Sequence, residues 1–138
     1  MKLNTRVILE SDWDMLVDWW ANWKDWGDNP VKEMLPLNGT GGLIIEKEGR
    51  PIMAGFLYLT NSNIAWMEFI VSDPTYKEYD RAKALELLIL SLEDIAREMG
   101  KEIIFSVGRN KSLLSMHKKL DYIVDKDPSH ELYKNIKR

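Results

Sequence analysis

The chain has 138 residues, 45% of them hydrophobic, a size and composition that suit one globular domain and leave little for a second. Its 19 basic and 22 acidic residues are interspersed and sum to a net charge of −3, which disfavours a broad nucleic-acid or acidic-membrane surface but allows a local basic pocket. Cysteine is absent, which excludes disulfides, thiolate catalysis and thiolate metal sites, and the two histidines, His117 and His130, lack ligand-like spacing, so no metal is expected.

The start, Met1-Lys2-Leu3-Asn4-Thr5-Arg6, lacks the apolar run of a signal peptide, and no stretch reaches the ~20 apolar residues that span a bilayer. A soluble, cytoplasmic protein is the expectation. Thr5 to Leu9 reads as a first strand. Ser11 then stands where a helix N-cap is wanted, with Asp14 three residues later in a near capping box. Trp13, Leu16, Val17, Trp20 and Trp23 recur at helical spacing on one side of the helix that follows. Gly27-Asp28-Asn29-Pro30 ends that pattern, and a loop with one short helix near Val31 to Met34 continues to Gly42.

From Gly42 the period changes to that of strands. Leu43 to Glu46, Ile52 to Thr60 and Ile64 to Ser72 are separated by Glu48-Gly49-Arg50-Pro51 and Asn61-Ser62-Asn63, which predicts a three-stranded antiparallel meander. Between Asp80 and Gly100, residues Ala84, Leu85, Leu88, Ile89, Leu92, Ile95, Ala96 and Met99 follow helical spacing, and Gly100 is the expected stop. Glu102 to Val107 gives a fifth strand, parallel to the fourth because a helical crossover joins them. Asn110 or Ser112 caps a helix reaching about Leu120, and Tyr122 to Asp125 with Glu131 to Ile136 completes a final strand pair. The fold class is α/β in the broad sense (α+β), with a mixed central sheet of about seven strands and helices on both faces.

Two segments carry a family likeness. Arg81-Ala82-Lys83-Ala84-Leu85 opens the long helix, and Asn110-Lys111-Ser112-Leu113-Leu114-Ser115-Met116-His117-Lys118-Lys119-Leu120-Asp121-Tyr122 follows the fifth strand. In that order they resemble the second half of a GNAT acyltransferase, whose members read R-G-x-G-I-G at the first place and N-x-x-A-I-x-L-Y-E-K-L-G-F at the second. Here the glycines of the first motif are missing and His117 stands at the tyrosine. The element order β-α-α-β-β-β-α-β-α-β-β matches that fold over almost the whole length as a single domain, Met1 to Arg138. A weaker likeness, to small tryptophan-rich proteins of this kind encoded by bacteriophages, rests on the Leu35-Pro36 to Gly42 loop and on Phe56-Leu57-Tyr58.

The resemblance implies that the fourth and fifth strands splay apart and admit the pantetheine arm of acetyl-coenzyme A, paired to backbone groups of Phe69, Ile70 and Val71. It implies that Arg81, Ala82, Lys83 and Ala84 meet the pyrophosphate at a helix N-terminus, where amides and the helix dipole favour an anion. Glu78 and Asp80 fall nearby, where their charge opposes one. His117 takes the place of the acid that protonates the departing thiolate, with Asn110 seven residues earlier and rotated by only about 20°. A solvent-facing histidine beside Lys118 and Lys119 is the competing reading.

Attack on a thioester needs a neutral amine, hence a base, and Glu68 is the one acidic residue inside the predicted fourth strand. Alternation sets it opposite Met67 and Phe69, either in the acceptor cleft or on a polar sheet face. Of six tryptophans, five lie between Trp13 and Trp26; Trp19 and Trp26 flank the helix stripe as candidate walls of an acceptor pocket. Contact in the core or between subunits competes for these rings, so a homodimer stays open. The implied activity is N-acetyl transfer from acetyl-CoA to a small-molecule or protein amine by direct attack, through a tetrahedral intermediate stabilised by strand amides. A non-catalytic binding module of the same fold is the alternative.

Overall fold

A computed structural model describes residues 2–23 and 29–137, which fall into two compact units, residues 1–107 and 108–138. In the first unit the elements run β1 (Leu3–Val7), α1 (Trp13–Asn22), β2 (Gly42–Lys47), β3 (Arg50–Leu59), β4 (Ile64–Ser72), α2 (Arg81–Glu98) and β5 (Ile103–Ser106). They form a five-stranded sheet in the order β1-β2-β3-β4-β5, antiparallel throughout except for the parallel β4–β5 pair. The parallel pair follows from α2, since a crossover helix returns the chain to the same end of the sheet. Among the described residues no helix is long and apolar enough to cross a membrane.

Alternation along β3 assigns the two faces. Ala54 and Phe56 join Ile8, Leu16, Trp19, Trp20, Leu35, Ile44 and Val71 in a buried cluster under α1. Gly55 points the other way, where an added Cβ would come within 3.2 Å of both Ile70 and Leu88. The buried stripe of α2, Ala84, Leu88, Ile89, Leu92 and Ala96, supplies that second layer. Gly100, at φ +80, stops the helix as expected, and Lys101 N–H closes the turn on Ala96 O at 2.9 Å.

Entry to α1 differs from the expected Ser11 cap. Glu10–Asp12 forms a 3-10 turn, and Asp12 instead accepts from Leu9 N–H at 2.7 Å and from both ends of the Arg6 guanidinium, at 2.8 and 2.9 Å. Arg6 reaches across the sheet with its Nε to Glu46 at 2.8 Å. A forked guanidinium bond holds the Asp12 carboxylate below its usual pKa. Asp12→Ala is expected to cost about 1–2 kcal/mol, as loss of a helix-entry acceptor does. Because the pKa is depressed on folding, that contribution is complete above about pH 4 and fades as pH falls through the folded value. Thermal melts of the two proteins from pH 7 to pH 2 should therefore converge in acid.

Among the described residues the second unit contains one regular element, α3 (Lys111–Lys119). The expected strand pair Tyr122 to Asp125 and Glu131 to Ile136 does not form, which brings the sheet to five strands rather than seven. Ile123, Leu132, Tyr133 and Ile136 are all more than 80% exposed, so these four side chains supply no buried apolar face, and an isolated two-strand ribbon without one is marginal in water.

Candidate functional site

β4 changes character where its neighbour ends. It pairs with β5 from Ile64↔Ile103 to Met67↔Ser106, whereas the strand itself continues to Ser72. On its other edge the register moves from Phe56↔Glu68 to Ala54↔Val71, so three steps of β4 oppose two of β3. That extra residue is a β-bulge, which bends a strand and redirects its side chains. Phe69, at φ +56, occupies the left-handed region that a bulky residue avoids, at a cost of order 1–3 kcal/mol. Packing against Trp20, edge to face at 6.5 Å, holds it there.

The bulge also overturns the expected alternation. Glu68 pairs with Phe56 and so faces α1, while Phe69, predicted on the opposite side, packs into the same aromatic cluster. Ile70 turns to the α2 face and Val71 returns, 3% exposed, to the α1 face. Two residues back, Trp66 lies between Tyr58 on β3 and Phe105 on β5, giving an in-register row of rings across three strands. Trp66 and Phe105 meet edge to face at 4.9 Å, and the Tyr58 hydroxyl donates to Met34 O at 2.9 Å. Burial, with the Glu68 charge adding to it, pushes the Tyr58 phenol up to about 12. Trp66 and Phe105 were not singled out from sequence, and Tyr58 only for a family likeness, because the row exists only once the register of three separate strands is known.

At the start of α2, Arg81 is partly exposed and Ala82 and Lys83 are exposed, whereas Ala84 is fully buried. Arg81 N–H donates to Glu78 O and Ala84 N–H to Asp80 O, and Ala82 and Lys83 stand between them in the first turn, where helix amides have no intrahelical carbonyl partner. Asp80, expected to oppose an anion there, is itself engaged within the protein. Its carboxylate pairs with Lys47 Nζ at 2.8 Å and accepts from the Tyr76 hydroxyl, and Lys47 draws its pKa down. Arg50 adds a second tie, to Asp73 at 3.1 Å. The 73–80 loop is thus lashed to the β2–β3 turn. Lys47 and Tyr76 carry no local sequence signal for this, since the contact spans 29 positions.

In the second unit Asn110 is the cap of α3, its side chain accepting from Leu113 N–H at 2.9 Å. His117 is 4% exposed rather than solvent-facing. Its Nδ1 lies 2.7 Å from Leu113 O, so that nitrogen carries a proton and, in the neutral ring, Nε2 is the basic one. Tyr122 packs edge to face on the imidazole at 4.7 Å, after a left-handed Asp121 at φ +70. Trp19 is not at a cleft wall; it is 4% exposed within the core under α1. Trp26 lies outside the described residues.

Solved structures share this fold. An acetyltransferase of Trypanosoma brucei superposes with a TM-score of 0.65 at 18% identity, over 96% of this chain and 100% of that one. The aminoglycoside antibiotic 6'-N-acetyltransferase AAC(6')-Ih of Acinetobacter baumannii gives 0.65 at 20% identity, over 99% and 100%. The chain has the GNAT acetyltransferase fold. N-acetylglutamate synthase of Neisseria gonorrhoeae, complexed with coenzyme A and N-acetyl-glutamate, gives 0.69 at 15% identity, over 86% of this chain and 28% of that one. No family model and no curated protein matches the sequence. The GNAT structures named here lend no support to the phage-type likeness.

Proposed function

We propose that this protein is a cytoplasmic acetyl-CoA-dependent N-acetyltransferase, its two units together making one GNAT-like domain, acting on an amine by direct attack. The observation that carries the reading is the end of the β4–β5 ladder at Met67↔Ser106, short of the end of β4 at Ser72 and beside a strained bulge at Phe69, within the fold that GNAT acetyltransferases share. In this reading the backbone of Phe69, Ile70 and Val71 holds the pantetheine arm. The amides of Ala82 and Lys83, with the Arg81 and Lys83 cations, hold the pyrophosphate, and the neutralisation of Asp80 by Lys47 suits that role.

Acetyl-CoA supplies a thioester whose C–S bond is exchanged for a C–N bond to the amine. Glu68 takes the proton that the ammonium must lose. Tyr58 cannot, because its phenol stays protonated up to about 12. The proton that returns to sulfur is assigned to His117, whose ring donates from Nε2 once both nitrogens are protonated. The amine itself is left at the level of class. Aminoglycosides are acceptors by the name of one structure with this fold, and the acceptor here is a small molecule or a protein amine.

Calorimetric titration with acetyl-CoA tests the reading. Micromolar binding is expected, weakened about tenfold or more in Arg81→Glu, where a phosphate-facing cation becomes an anion. No binding to the parent protein would transfer the chain to the alternative, a non-catalytic module, which the glycine-free start of α2 favours.

A further inference from the structure

We infer that the row Tyr58, Trp66 and Phe105, with Glu68 beside it, is the acceptor subsite, and that it takes a primary amine with a single positive charge on a flat, apolar body. The inference rests on the transferase reading and narrows its substrate. Register sets the three rings side by side across β3, β4 and β5. Phe105, at 43% exposed, and the partly exposed Trp66 and Tyr58 offer aromatic surface on the sheet's outer run, where strands usually show polar residues to water. Glu68 pairs with Phe56, the next residue toward α1 on the same face, and its charge is felt by Tyr58.

The chemistry of that surface is specific. Aromatic faces attract cations by their quadrupole and apolar rings by stacking, and a carboxylate at one end fixes where an ammonium lies. Three rings to one carboxylate complement a monoamine on a ring or short apolar chain. A polyhydroxylated polycation, which needs several carboxylates and hydrogen-bond acceptors, would bury the rings against hydroxyls without gain. The ammonium end would sit at Glu68, the residue that must accept its proton, so recognition and deprotonation use one carboxylate.

Binding of 2-phenylethylamine, spermidine and 2-phenylethanol to the full-length protein, by calorimetry at pH 7 with and without coenzyme A, decides the matter. The arylamine is expected to bind more tightly than the other two. Phe105→Ala should weaken it about fivefold and Phe105→Leu less, while Glu68→Gln should erase its advantage over the alcohol. Spermidine binding as tightly as the arylamine, no arylamine binding, or an unchanged affinity in Phe105→Ala would each overturn the assignment. Far-ultraviolet circular dichroism identifies a misfolded variant, and Trp66→Leu then replaces it in the same titration. Arylamine binding without coenzyme A binding would refute the transferase reading and leave the subsite standing; the reverse pattern would do the opposite.

Discussion

Glu68→Gln is expected to lower kcat about a hundredfold at pH 7 while moving acetyl-CoA affinity by less than twofold. General bases contribute about 10²–10⁴ in rate, and glutamine keeps the shape and one acceptor while losing the proton affinity. The assignment is not a choice among equals. On the face that carries Phe56, the other titratable group in the row is Tyr58, and its phenol, held up to about 12, is a donor to Met34 O throughout the neutral range. The pH profile separates chemistry from packing. In the parent protein the rate is expected to rise as a carboxylate ionises, and that limb should vanish in the glutamine variant. Stopped-time assays of thiol release across pH 5 to 9 report both quantities. A variant with full activity at every pH would remove Glu68 from the mechanism and leave a water chain as the base. The parallel test of the acid is His117→Phe, with the opposite limb as its readout: rate should then no longer depend on a protonated imidazole.

Much of the architecture was legible because it is local. The meander between Gly42 and Ser72, the stop at Gly100 and a helix start at Asn110 or Ser112, of which Asn110 is the cap, each announce themselves within a few residues. The bulge was not legible. Left-handed positions are usually marked by Gly or Asn, but this one holds Phe69, supported by a ring from α1 that no strand pattern can foresee. One inserted residue then reverses the face of its neighbour, so strict alternation placed Phe69 opposite Glu68 and gave the wrong side. The same limit explains Trp19, which lies 4% exposed inside the helix's buried arc because that arc is wider than a narrow seam. Ser11 and Asp12 are both good caps by type, and the Arg6 bonds that engage Asp12 come from β1, outside the local pattern at the helix entry. The last two strands failed for a related reason. Ile123, Leu132, Tyr133 and Ile136 have strand-like composition, yet a strand is made by its partner, and these side chains remain exposed.

Trp20→Ala is expected to be the most destabilising single change, at about 3–5 kcal/mol, because it empties the largest fully buried side chain. Trp20 is 1% exposed, stacks on Phe56 at 6.1 Å and 27°, and meets Trp13 edge-on at 5.9 Å. With folded domains stable by only about 5–15 kcal/mol, such a loss moves the urea midpoint far, at an unchanged slope if the denatured state is unaltered. The consequence for function should exceed the consequence for stability. Phe69 holds a left-handed conformation worth of order 1–3 kcal/mol of strain, and its ring rests against Trp20. Without that support the bulge can relax toward regular pairing, which, with Phe56↔Glu68 kept in register, would turn Phe69, Ile70 and Val71 to the opposite faces. Trp20→Phe provides the contrast, since it keeps an aromatic contact for Phe69 at a smaller cost in packing. If the alanine variant, measured well below its melting temperature, retains parental kcat and acetyl-CoA affinity, the bulge does not depend on this ring. Selective loss of both, with the phenylalanine variant close to the parent, would tie the strained strand to catalysis through one named contact.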